Sequence, residues 1–310
     1  MSQEIVVQLR NVTKRIGSKT IVDHLTFDVP RGEVFGFLGP NGAGKTTTIR
    51  MMVGLISMTE GQVLVNGIDV SRNFEQAMKH IGAIVENPEL YKFLTGYQNL
   101  IHFARMMPGI TKERIDEVVR LVKLENRIHD KVKTYSLGMR QRLGVAQAIL
   151  HRPDVLILDE PTNGLDPEGI RELRDYLRQL ARTEGTAIIV SSHLLSEMEL
   201  MCDRVAIIQN GKLVNVQAMR EMVQQQTDEA RLVVFEVDEP QRAIHLLTDT
   251  VTVGEAAVTQ EGVTLYLQRE QIPNAIQQLV QGNVRIYSVK AASMTLEDKF
   301  LELTRGGQIV

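Results

Sequence analysis

The run Gly39-Pro40-Asn41-Gly42-Ala43-Gly44-Lys45-Thr46-Thr47 carries the spacing G-x-x-x-x-G-K-T. Glycines at these positions let successive backbone N–H groups turn toward phosphate oxygens, and a helix that starts beside them adds the positive end of its dipole. In that chemistry Lys45 reaches the β- and γ-phosphates and the Thr46 hydroxyl binds Mg²⁺. The flanks agree with it. Val34-Phe35-Gly36-Phe37-Leu38 reads as a strand and residues 46–53 as a helix. A chance glycine-rich turn would need neither flank, so the segment implies binding of a nucleoside triphosphate.

Three downstream segments narrow the chemistry. Val155-Leu156-Ile157-Leu158 is a fully apolar strand that ends in Asp159-Glu160. Such strands suit a parallel sheet covered on both faces, and ligands in those sheets sit at the carboxyl ends of the strands. Asp159 would then arrive beside Mg²⁺, and Glu160 could polarise an attacking water. Tyr135-Ser136-Leu137-Gly138-Met139-Arg140-Gln141-Arg142 precedes a helical pattern, with Ser136 at the N-cap position. Its hydroxyl and the following amides form a second anion site, or simply a capped helix. One phosphate chain reaches both helix N-termini only if two protomers face each other. Ser191-Ser192-His193 follows the apolar strand Ala187-Ile188-Ile189-Val190. His193 is there either a satisfied capping residue or a group that reaches the γ-phosphate.

Together these segments resemble the ATP-binding cassette (ABC) family of ATPases over roughly residues 5–215. The order of motifs carries the resemblance: Glu86 in the glutamine-loop position, Ser136 to Met139 as signature, Asp159 and Glu160, Asn163-Gly164-Leu165-Asp166 as D-loop, then His193. The form of the signature and the ending Leu296-Glu297-Asp298-Lys299-Phe300-Leu301-Glu302-Leu303-Thr304 look like the ABC-2 branch, most similar to bacterial bacitracin and lantibiotic export ATPases. The resemblance implies that Gly39, Pro40, Asn41, Gly42, Ala43, Gly44, Lys45, Thr46 and Thr47 hold the phosphates. It implies Thr46, Asp159 and Glu86 at the metal, Glu160 at the water and His193 at the γ-phosphate. Ser136 and Gly138 would close the site from an opposing protomer.

Three positions depart from the family pattern. Glu86 stands where a glutamine is usual, Ile16 where an aromatic stacks on adenine, and Leu137 where the signature has its first glycine. The first two bear on metal geometry and base affinity and leave the hydrolytic residues intact.

Composition sets the outer limits. At 310 residues, 43% hydrophobic and 24% charged, the chain has an ordinary globular composition and room for one large or two modest domains. A net charge of −3 offers no basic stripe for nucleic acid. The single cysteine, Cys202, excludes an internal disulfide, suits a reducing cytoplasm and reads as a small buried residue. The first residues show no signal-peptide pattern, and no apolar run approaches the ~18 residues of a membrane span. A transporter of this kind needs a separate permease, which would hold the chain at the inner face of the membrane.

Elements follow from the patterning. Alternation over residues 3–30 and turns at Arg31-Gly32 and Asn66-Gly67 predict an antiparallel β layer beside the phosphate-binding core. Residues 89–150 read as a helical subdomain, and after Pro153 strand and helix alternate through Val214. A polar stretch at 224–229 marks a linker between an ATP-binding cassette at 1–220 and an accessory α+β domain at 221–310. In the latter, strands at 232–237, 251–258, 262–268 and 284–289 and helices at 241–248 and 271–281 give the order βαββαβ of a ferredoxin-like fold, followed by a helix at 295–304. The expected protein is an α/β ATPase subunit of an ABC-2 exporter, dimeric around two ATP·Mg²⁺, for a peptide antibiotic. The alternatives are a soluble ABC ATPase without a transporter and a nucleotide-sensing module.

Overall fold

A computed structural model describes residues 4–222, 231–248, 256–259 and 262–292. The chain divides into two compact units, Met1–Met219 and Arg220–Val310.

The first unit is built on two sheets. Strands β1 (Ile5–Ile16), β2 (Lys19–Pro30), β4 (Glu60–Val65) and β5 (Ile68–Asp69) form an antiparallel sheet in the order β2-β1-β4-β5. Strands β3 (Val34–Leu38), β6 (Ile81–Ile84), β7 (Val155–Leu158), β8 (Ala187–Ser192), β9 (Arg204–Gln209) and β10 (Lys212–Ala218) form the second, in the order β10-β9-β3-β8-β7-β6. All its pairs are parallel except β9 with β10. Every residue of β3, β7 and β8 is buried, as apolar strands covered on both faces must be. One face of this sheet shares a core with the inner side of the antiparallel layer and with Ile49, Met51 and Met52 of helix α1 (Lys45–Met52).

The helices follow their predicted places. After the short α2 (Phe74–Met78), helices α3 (Gly96–Ala104), α4 (Lys112–Leu121) and α5 (Leu137–Ala148) make up half of the segment from 89 to 150. Thr95 caps α3 in a reciprocal capping box with Gln98, Thr111 caps α4 and Ser136 caps α5. Helices α6 (Pro167–Glu184) and α7 (Leu195–Met201) alternate with β8 and β9. The expected alternation fails only at its end. Asn210 and Gly211 both have positive φ (49° and 78°) and join β9 to β10 as a tight antiparallel hairpin.

The second unit contains β11 (Arg231–Val237), α8 (Pro240–Thr248), β12 (Ala256–Thr259), β13 (Gly262–Leu267), α9 (Gln271–Gln281) and β14 (Ile286–Ala292). Its antiparallel sheet has the order β12-β13-β11-β14, so the first strand lies between the third and the fourth. The succession and pairing are those of a ferredoxin-like fold. The sequence-predicted linker at 224–229, most of the expected strand at 251–258 and the helix at 295–304 lie outside the described residues.

Candidate functional site

Strand order positions the site. β8 lies between β3 and β7, in a register that pairs Leu38 with Ser192 and Leu158 with Val190. The carboxyl ends of the three strands therefore meet at one level: the glycine loop after Leu38, Asp159-Glu160 after Leu158, and Ser191-Ser192-His193 at the end of β8. The Gly39 N–H donates to the Ser192 carbonyl at 3.3 Å, which ties the loop to the middle strand.

The glycine loop runs directly into α1, whose N-cap Gly44 has φ 104°. A side chain there would be strained, and its Cβ would lie 3.0 Å from the Ile21 carbonyl oxygen. Gly39 is constrained differently: a Cβ would come within 2.4 Å of the Ile208 carbonyl oxygen. The loop is thus seated on backbone from both sheets. Lys45 is only 6% exposed, and its Nζ donates to the Gly39 carbonyl at 2.7 Å. The same Nζ lies 3.3 Å from Glu160 Oε1.

Ser191, Ser192 and His193 each engage an acidic residue. The Ser191 hydroxyl donates to Asp159 Oδ1 at 2.6 Å, and its oxygen accepts the Glu160 N–H at 2.8 Å. His193 Nδ1 lies 2.8 Å from Glu160 Oε2. Ser192 donates to Glu197 Oε2 at 2.7 Å, and Thr162 donates to that same oxygen at 2.7 Å. Glu160 has φ 48°, the left-handed region that costs a non-glycine residue energy unless its surroundings hold it. Two cationic or protonatable groups and one hydroxyl do so here.

Mg²⁺ dehydrates reluctantly and is usually held by one or two side chains together with substrate phosphates, not by an all-protein cage. The chemistry fits. Among the described residues no group of three or more His, Cys, Asp or Glu side chains forms such a cage. Asp159 is 2% exposed with one carboxylate oxygen committed to Ser191, so its other oxygen is the one a metal would take.

The remaining site residues fall in three places. Ser136 Oγ accepts the Met139 N–H at 3.2 Å, and with Gly138 and Gln141 it lines a cleft of about 430 Å³ whose other wall is Gly164, Leu165 and Asp166. Leu137, the departure from the signature, lies over Gly164: a Cβ on that glycine would meet Leu137 Cδ2 at 2.6 Å. Glu86 follows β6 with φ 67°, and its carboxylate is bound by the Arg50 guanidinium near the end of α1. Ile16 is 60% exposed at the end of β1. Phe27, an aromatic on the adjacent strand β2, is buried and stacked on Phe35 at 5.5 Å, so it is withdrawn from any base. Cys202 is buried, as expected, and burial pushes its thiol pKa up.

Sequence reasoning did not assign roles to Ser191, Glu197 or Arg50. Ser191 and Ser192 left a signal, since two hydroxyls inside an apolar strand must find partners. Arg50 and Glu197 left none, because their partners are distant in sequence.

Comparison with known proteins agrees with this geometry. Residues 22–163 match the sequence pattern of the family described as ABC transporter. The chain is 58% identical to the ABC transporter ATP-binding protein YhcH of Bacillus subtilis, over 96% of each chain. It is 38% identical to the bacitracin transport ATP-binding protein BcrA of Bacillus licheniformis, over 98% of this chain and 99% of that one. A solved ATP-binding subunit of an ABC transporter superposes with a TM-score of 0.63 at 29% identity, covering 71% of this chain and 92% of its own. The chain belongs to the ABC transporter ATP-binding family, the ATPases that power transport.

Proposed function

We propose that this ABC-family ATPase drives an exporter for a peptide antibiotic, with residues 1–220 as the cassette, 221–310 as an accessory domain, and a separate membrane permease as its partner. The observation that carries the hydrolytic reading is the carboxylate of Glu160 set between Lys45 and His193 at the mouth of the glycine loop. In this reading the loop amides from Asn41 to Thr47 and Lys45 bind the phosphates. Thr46 and Asp159 would hold Mg²⁺, which would supply charge stabilisation for the transferring phosphate. Glu160 orients and deprotonates the water, and His193 donates to the γ-phosphate. Phosphoryl transfer of this kind is mostly positioning and charge stabilisation, which a buried lysine and two fixed acids supply.

Two cassettes would close on two nucleotides, because Ser136 and the α5 N-terminus lie on a separate cleft with Gly164 and Asp166 and need a second protomer to meet a phosphate. No helix among the described residues is long and apolar enough to cross a membrane, so the transport path is assigned to another polypeptide, with this chain peripheral on the inner face. The cargo follows from similarity to the bacitracin transport ATP-binding protein over nearly its whole length.

The test has three arms. Purified chain should hydrolyse ATP only with Mg²⁺, and tagged chain should co-purify from membranes with a multi-span protein. Deleting the gene should sensitise its host to bacitracin or a lantibiotic. Hydrolysis without membrane recovery would favour a soluble ABC ATPase, and nucleotide binding without hydrolysis would favour a sensing module.

A further inference from the structure

The end of β8 holds a hydroxyl that the reaction as described does not use. Ser191 is 0% exposed and sits between the two acids of the site, bonded to both. The direction of the two bonds is fixed by their partners. The Glu160 N–H can only donate, so Ser191 Oγ accepts there. The hydroxyl proton is then free for Asp159, whose carboxylate can only accept. One side chain thereby sets the backbone of Glu160, at φ 48°, and the carboxylate of Asp159.

From this arrangement we propose that Ser191 is a positioning residue for metal and water, one that aims Asp159 at Mg²⁺ and Glu160 at the lytic water. Residues that orient a metal ligand are worth about 10–100-fold in metal affinity when removed. Ser191 Oγ occupies Asp159 Oδ1 at 2.6 Å and leaves Oδ2 for the metal. The same oxygen keeps the Glu160 amide in place, so the Glu160 side chain leaves the strand toward Lys45 and His193. Alanine at 191 would remove both bonds at once and orphan two polar groups beside a buried strand end. Threonine would keep both.

The proposal rests on the ATP·Mg²⁺ reading of this site, and its test separates the two. A fluorescent non-hydrolysable ATP analogue is titrated onto wild type, Ser191→Ala and Ser191→Thr, first with EDTA and then at rising Mg²⁺. Circular dichroism confirms that each variant is folded. Ser191→Ala should bind the analogue within about twofold of wild type in EDTA, yet need about tenfold more Mg²⁺ to reach half of the metal-stimulated affinity. Ser191→Thr should return to within about threefold of wild type. If alanine fails to fold, Ser191→Cys, a weak donor of similar size, should shift the Mg²⁺ midpoint in the same direction. A Mg²⁺ midpoint unchanged in Ser191→Ala, or an equal loss with and without metal, overturns the positioning role. A wild-type chain whose nucleotide binding ignores Mg²⁺ overturns the underlying reading as well.

Discussion

Lys45 and Glu160 face each other at 3.3 Å, so the ammonium that the glycine loop offers to phosphate is also the counter-charge of the carboxylate proposed to act on water. The other oxygen of Glu160 is met by His193 at 2.8 Å. Under the proposed reading a triphosphate entering the loop would compete with Glu160 for Lys45 and for His193. Nucleotide binding and release of the base are then one event, because the same two groups serve both.

Glu160→Gln should therefore separate binding from turnover. The amide keeps the size of the side chain and loses its charge, which also loosens its hold on Lys45. ATP affinity should stay equal or rise, while steady-state hydrolysis falls by ~10²–10⁴-fold, the worth of a positioned base. Size-exclusion chromatography with ATP·Mg²⁺ should show protomers held together. Turnover within about threefold of wild type would remove Glu160 from the mechanism.

Base recognition should be weak. Ile16 is exposed and has no π face, and Phe27 is locked against Phe35 in the core. The missing stack is worth roughly 0.5–1.5 kcal/mol. ATP and GTP should bind within about tenfold of each other, and Ile16→Tyr should tighten ATP. Competition binding reads both. A strong ATP preference that Ile16→Tyr leaves untouched would mean the base is gripped elsewhere.

The Glu86–Arg50 pair is exposed on both sides and contributes about 0–1 kcal/mol to stability, so its interest lies in what it withholds. While Arg50 holds the carboxylate, Glu86 is not offered to a metal. Arg50→Gln should release it and make ATP binding more dependent on Mg²⁺, whereas Glu86→Gln should leave the wild-type dependence unchanged. Affinity titrated with and without Mg²⁺ for the three proteins checks this. Identical metal dependence in all of them would place Glu86 away from the ion.

A pH effect is expected from His151, which lies far from these groups in the chain. Its Nε2–H donates to the Ile81 carbonyl at 3.0 Å, and its Nδ1 is buried with no hydrogen-bond partner among the described residues. Burial lowers its pKa below the usual 6.5. Between that lowered value and about 6.5 the unfolded chain binds a proton that the folded chain does not, so stability falls as pH drops through this window. Denaturant midpoints at pH 7.5, 6.5 and 5.5 should decline for wild type and decline less for His151→Gln. Parallel declines would show that other groups dominate the slope.

The parts of the site legible in the sequence are those whose chemistry is local. Gly39 to Thr47 is contiguous, and its conformation needs glycine whatever the fold around it. Asp159 and Glu160 follow an apolar strand that can only lie in a covered sheet. The elements of the second unit were visible for the same reason, since each strand or helix shows its own period. What could not be read depends on neighbours distant in sequence. Arg50 meets Glu86 across 36 positions, Thr162 meets Glu197 across 35, and Phe27 is withdrawn by a ring on another strand. The β9–β10 hairpin, despite its Asn210-Gly211 signal, breaks the alternation of strand and helix expected through Val214.

The placement of β8 between β3 and β7 also bears on how the chain acquires its activity during synthesis. A growing chain that has passed Glu160 but not Ala187 already holds the glycine loop and both acids, yet β3 and β7 are not joined until β8 enters between them and pairs with each. Two apolar strands wait through that interval with unpaired edges, the situation in which chains associate wrongly. Contacts between segments so far apart also close slowly. Nucleotide capture is thus a late property of this polypeptide, gained only after β8 has joined β3 to β7. Slowing translation between residues 160 and 187 would lengthen the period in which the nascent chain depends on chaperones.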